Sequence, residues 1–146
     1  MSCQNGCDNN GCASCGGVGS PVCIMQGESK TFLLVVRVLA TKAPQNLDNV
    51  QIFFTVKERP DDVAPIILKR TVDAGGAVGE ITIATPQATA ANTGRATIYL
   101  TPEDTKLLKP DVTYWFDVWV KLPTGEERPV QRRRQIIVDT RITIIP

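Results

Sequence analysis

Residues 112–121 read VTYWFDVWVK, and the reading of this stretch decides the fold. On a β-strand successive side chains point to opposite faces. Tyr114, Phe116, Val118 and Val120 then share one face, and Trp115, Asp117, Trp119 and Lys121 share the other. LPTGEE follows at 122–127, a Pro/Gly turn that predicts a hairpin with the next run, Val130–Asp139.

The same period recurs in both directions along the chain. Thr31–Ala40 (TFLLVVRVLA), Val50–Lys57 (VQIFFTVK), Ile66–Val72, Ile81–Thr85, Arg95–Leu100 and Ile142–Ile145 read as further strands, divided by Pro, Gly, Asn and Asp. Phe32, Leu34, Val36, Ile52, Phe54, Val56, Ile98, Leu100, Tyr114, Phe116 and Val118 are the expected core. One helical turn is predicted at Thr101-Pro102-Glu103-Asp104. Threonine caps, proline suits the first helical position, and the acids favour the positive end of a helix. Many short strands with little helix predict an all-β, antiparallel Ig-like β-sandwich over residues 30–146.

Residues 1–29 differ in composition. They hold all five cysteines and little that fills a core, so they read as an irregular Cys/Gly-rich N-terminal arm. Cys7-x4-Cys12-x2-Cys15 is a spacing also used for an iron–sulfur cluster, with the fourth cysteine more distant than Cys23. Cys3, Cys7, Cys12 and Cys15 supply four thiolates for zinc, although only four residues separate the two pairs. Disulfides are the favoured reading. Five is odd, so a cysteine is left for a free thiol or an interchain bond.

The totals narrow the function. A chain of 146 residues buries roughly 70% of its unfolded surface, so disulfides are not needed merely to fold it. Sixteen basic and fifteen acidic residues give a net charge of +1, without the broad basic footprint of a nucleic-acid binder. No apolar run approaches the roughly 20 residues that span a bilayer, and no secretion signal is expected from the polar first ten residues. Histidine is absent, which removes Ser-His and Cys-His nucleophile pairs. No paired-acid motif, phosphate-binding loop or nucleophile elbow is present either, so no enzyme and no cofactor are expected.

The body resembles a known family. NLDNVQIFFTVKE, IILKRTV, GRATIYLTPEDTKLL and DVTYWFDVWVKLPTGEERPV, within about residues 28–140, are similar to a phage Ig-like β-sandwich. The similarity is to the N-terminal domain of the phage baseplate upper protein family. LTPEDT followed by the aromatic-Asp-Val strand carries it. The resemblance implies a virion structural part with no catalytic residues, made in the host cytoplasm. It would be a head decoration, neck or tail-baseplate component, in many copies or as a homo-oligomer, bound to capsid or tail subunits. The cysteine-rich arm is not part of the family pattern. The alternative is a small metal-binding or iron–sulfur redox protein that uses the arm.

Two further features are interface candidates. On a regular strand Arg132 and Arg134 share a face, with Arg133 opposite. Such charge protects a strand edge or meets an acidic neighbouring subunit. Trp115 and Trp119 flank Asp117 on the face away from the core, beneath the arm or a loop, or as anchors of a subunit interface. Glu58 with Asp61 and Asp62 reads as a solvent-exposed turn rather than a calcium loop.

Overall fold

The computed structural model describes residues 21–71 and 81–140, and the backbone of a short strand pair at 7–8 and 11–12. That pair is β1 (Cys7–Asp8) with β2 (Gly11–Cys12), antiparallel, with Cys7 opposite Cys12. The body comprises β3 (Val22–Met25), β4 (Lys30–Val35), β5 (Gln51–Lys57), β6 (Ile67–Arg70), β7 (Ile81–Ile83), β8 (Arg95–Leu100), helix α1 (Pro102–Lys106), β9 (Thr113–Lys121) and β10 (Glu127–Asp139). The predicted strand Ile142–Ile145 lies outside the described residues.

The strands form two sheets, ordered β3-β10-β9-β5-β6 and β4-β8-β7. This is the immunoglobulin arrangement, a three-stranded sheet against one in which β9 lies between its hairpin partner β10 and β5. Period-two burial makes the sandwich. Ile52, Phe54 and Val56 on β5 and Tyr114, Phe116, Val118 and Val120 on β9 are buried, as are Ala96, Ile98 and Leu100 on β8. Phe32, Phe54 and Phe116, from β4, β5 and β9, meet with ring centroids 5.4–5.7 Å apart at tilted angles. Tilted aromatic pairs of this kind add about 0.5–1.5 kcal/mol beyond their burial. In antibody domains a tryptophan and an inter-sheet disulfide join strands B, C and F. Here three phenylalanines join the corresponding strands.

Entry to β9 carries a second mark of the fold. The Tyr114 hydroxyl accepts a hydrogen bond from the Lys109 backbone N–H at 2.7 Å, which is the tyrosine corner of Ig-like domains. Just before it, α1 starts as the sequence predicts. The Thr101 side chain accepts from the Asp104 N–H, and Asp104 reaches back to the Thr101 N–H at 2.8 Å, closing a capping box. Asp104 also meets Lys69 of β6 at 2.8 Å, with both side chains mostly out of solvent. The LPTGEE turn joins β9 to β10 as a hairpin, with Gly125 at φ 91.

Four expectations are corrected. The sandwich begins before residue 30: β3, inside the segment set apart as an arm, lies beside β10 and buries Ile24 completely. That pairing is parallel, so the five-stranded sheet is not wholly antiparallel. The first long run ends as a strand at Val35 rather than Ala40. Its backbone then turns to other partners: the Val36 N–H donates to Gly94 O, the Gln45 N–H donates to Val36 O, and Lys42 takes φ 60. Finally, β10 is not a regular strand. Two register shifts, between Pro129 and Gln131 and between Gln131 and Arg134, each add one residue relative to β9.

Candidate functional site: the outer face of the five-stranded sheet

The bulges in β10 build this face. Gln131 pairs with Val118 and Arg134 with Phe116, so Asp117 alone lies opposite both Arg132 and Arg133. Two residues against one breaks the alternation. Arg133 lies on the tryptophan side: its guanidinium carbon is 5.1 Å from the centre of the Trp115 ring, a cation–π contact. Arg134 is opposite the buried Phe116 and is half-buried with a partner of its own. Arg132 is exposed. Arg134 is thus on the side of Phe116 and Arg133 on the side of Trp115, the opposition that alternation counted back from Ile136 gives, and the contact with Trp115 falls to Arg133.

Trp119 is the exposed aromatic of the face, 41% open to solvent. It is not loose. Its indole N–H donates to the Asp117 carboxylate at 3.0 Å, which holds the ring against the sheet. Two hollows flank it. One, of about 240 Å³, is lined by Thr55, Lys57, Pro60, Trp115, Asp117 and Arg133 among others. The second, of about 330 Å³, lies between Gln51, Phe53, Lys121 and Glu127. Trp119 borders both. The register continues the surface to the sheet edge, with Arg70 opposite Phe53 and Phe53 opposite Trp119. Lys57, Arg70, Lys121 and Arg133 outnumber Asp117 and Glu127 here. Lys121 and Glu127 form a loose pair at 3.7 Å.

The other candidates are dispersed. Cys3 and Cys15 lie outside the described residues, and Cys7 and Cys12 are described only as opposed backbone positions in the β1–β2 pair. Cys23, on β3 beside Ile137, has a partner of its own. Among the described residues no group of His, Cys, Asp and Glu is placed to hold a metal ion. Asp62 serves its own turn, accepting from the Arg59 N–H at 3.0 Å.

Sequence reading located both tryptophans but missed Arg133. The alternation held the signal for its face, since counting back from the buried Ile136 and Val138 puts Arg133 with Trp115, while the bulges show only as a surplus. Between the hairpin turn and Ile136, β10 has two more residues than its partner needs to keep the pairing regular.

No family model matches this chain, and no curated protein matches it. A solved structure of murine CRIg is similar with a TM-score of 0.38 and 14% identity, over 83% of this chain and 92% of that one. The Ig-like fold stands on the chain's own strand order, its phenylalanine trio and its tyrosine corner.

Proposed function

We propose that this chain is a non-enzymatic structural module of a phage-like particle, at the head surface, neck or baseplate. It works in many copies by binding neighbouring subunits. The outer face of β5, β9 and β10 is its docking surface, and the occupant is an acidic patch of a neighbouring subunit. One observation carries the binding role: an exposed tryptophan held in place by Asp117, beside a guanidinium stacked on a second tryptophan. Tryptophan and arginine are the residues most enriched at binding hot spots, and a held ring loses little freedom on binding. The surplus of positive charge on the face selects an acidic partner. The assignment to a particle rests on the sequence resemblance over about residues 28–140. The arm, with its odd number of cysteines, is suited to fasten or cross-link neighbours.

The test begins with particles that contain the protein. Trp119→Ala should weaken incorporation or rebinding at least tenfold while leaving the thermal transition within a few degrees of the parent. Asp117→Ala, which frees the indole, should do so to a smaller extent. Raised salt should weaken rebinding as well, because the contact is charged. Recovery of the protein only as a free catalyst, absent from particles, would refute the reading. So would a metal-dependent visible absorbance lost on deletion of residues 1–20, which would favour the redox alternative.

A further inference from the structure

The two sheets present four edges, and three of them are blunted. β3 and β6 have four residues each, β7 has three, and β6 carries Lys69 and Arg70. Short length and charge are how natural sheets avoid pairing edge to edge. β4 has neither protection. It runs for six residues, KTFLLV, with its single charge at the first position and no Pro or Gly. Among the described residues only β8 pairs with it, and none of them covers its other edge. Two of its three outward side chains are apolar, Leu33 at 83% and Val35 at 41% exposed, and the third is Thr31.

We infer that β4 pairs with β4 of a second copy of this chain, antiparallel about Leu33, to join two three-stranded sheets into one six-stranded sheet. The strand is its own complement in this register. Leu33 meets the partner's Leu33, Thr31 meets the partner's Val35, and Phe32 meets the partner's Leu34. No charged residue stands in any of these pairs. A shift of one residue would set outward side chains against inward ones. A shift of two either sets Lys30 against the partner's Leu34 or leaves only residues 33–35 paired within the strand. The neutral register is thus specified by the strand itself, and the contact is isologous and closed.

The size of the contact sets its strength. Five paired residues span roughly 17 Å, and a contact confined to a strand edge falls below about 1,200 Å² in total, the class of transient association. The dimer is therefore reversible in solution and gains in an array, where neighbouring copies raise the effective concentration. It uses the opposite sheet from the tryptophan face, so both contacts can be made at once.

Sedimentation velocity of the full chain over a concentration series, with reductant held constant, tests the pairing, together with amide exchange at the same concentrations. The weight-average mass should climb towards that of a dimer, and amides of residues 31–35 should gain protection as it does. Leu33→Lys sets two lysines against each other at the two-fold axis and should weaken association at least tenfold without lowering the thermal transition. Val35→Lys should act in the same direction and supplies the result if the first variant folds poorly. Trp119→Ala should leave dimerisation unchanged, which separates this inference from the proposed docking face. The inference is overturned by a chain that stays monomeric throughout, or by association that survives both β4 substitutions or follows Trp119 instead. Protection of residues 31–35 at every concentration would also overturn it, since the chain's own residues would then cover the edge.

Discussion

Gln87 is 2% exposed, and every polar atom of its side chain is used. Its carbonyl oxygen accepts from the Leu47 N–H at 2.9 Å and the Gly94 N–H at 3.0 Å, while its amide donates to Ala84 O at 2.6 Å and Asn92 O at 2.9 Å. One side chain thus replaces the backbone pairing that three loop segments lack. Gln87→Ala should cost about 3 kcal/mol or more in chemical denaturation, because unmet buried groups cost about 1–3 kcal/mol each. Asp104 gives a pH signature. Burial alone would raise its pKa, but the Lys69 bond and the two bonds from Thr101 outweigh burial and hold the carboxyl below its ordinary value of 3.8. A depressed folded pKa means that the stabilisation is present above the unfolded value and is lost as pH falls through the folded one. Asp104→Asn should therefore destabilise at neutral pH, with the difference from the parent narrowing as pH falls below 3.8. An unchanged difference across an acid titration of the melting temperature would show that the carboxylate does not act through its charge.

Elements differ in how well their pattern predicts their geometry. α1 was legible because all its determinants are local: a capping threonine, a proline in the first turn and Asp104 three residues after the cap. β9 was legible because one face is buried along its whole length. β10 was not, since bulges are set by the partner strand and not by composition, and the RRR run carries no apolar phase to reveal them. The arginines should therefore differ in effect. Arg133→Ala should shift the emission of Trp115 and, in a double-mutant cycle with Trp115→Leu, show a coupling of about 0.5–1 kcal/mol, as expected of an exposed cation–π pair. Arg132→Ala should show no coupling to Trp115. Equal effects from the two would mean that Arg133 makes no specific contact with Trp115.

At the scale of the whole molecule, the sheets are held together by the phenylalanine trio at one level and the tyrosine corner at another. Phe116→Ala should cost about 3–5 kcal/mol, since it leaves Phe32 and Phe54 facing a cavity. Far-UV circular dichroism should remain that of a β-protein up to a lowered, still cooperative transition. A cost below 1 kcal/mol would mean that the trio is not the joint between the sheets. Two surfaces remain for other molecules, the tryptophan–arginine face on the larger sheet and the β4 edge on the smaller. They are proposed to bind an unlike subunit and a like one respectively.

Alternation by itself determined the all-β class, the hairpin after Lys121 and the identity of most of the core, because burial of one strand face imposes a period that survives in the residues. Ile24, Ile136 and Val138 entered the core unannounced, Ile24 from a segment whose glycines and cysteines read as an arm. Only tertiary structure decided that β3 would lie parallel to β10, since a four-residue strand has too little pattern to show its partner. Only tertiary structure decided that β10 would carry two bulges, since that depends on residues counted across two strands. It alone decided that Gln87 would be buried, because its four partners come from three separate loop segments. Faces are written in local sequence. Partners are chosen by distant chain, through hydrogen bonds that no local pattern encodes.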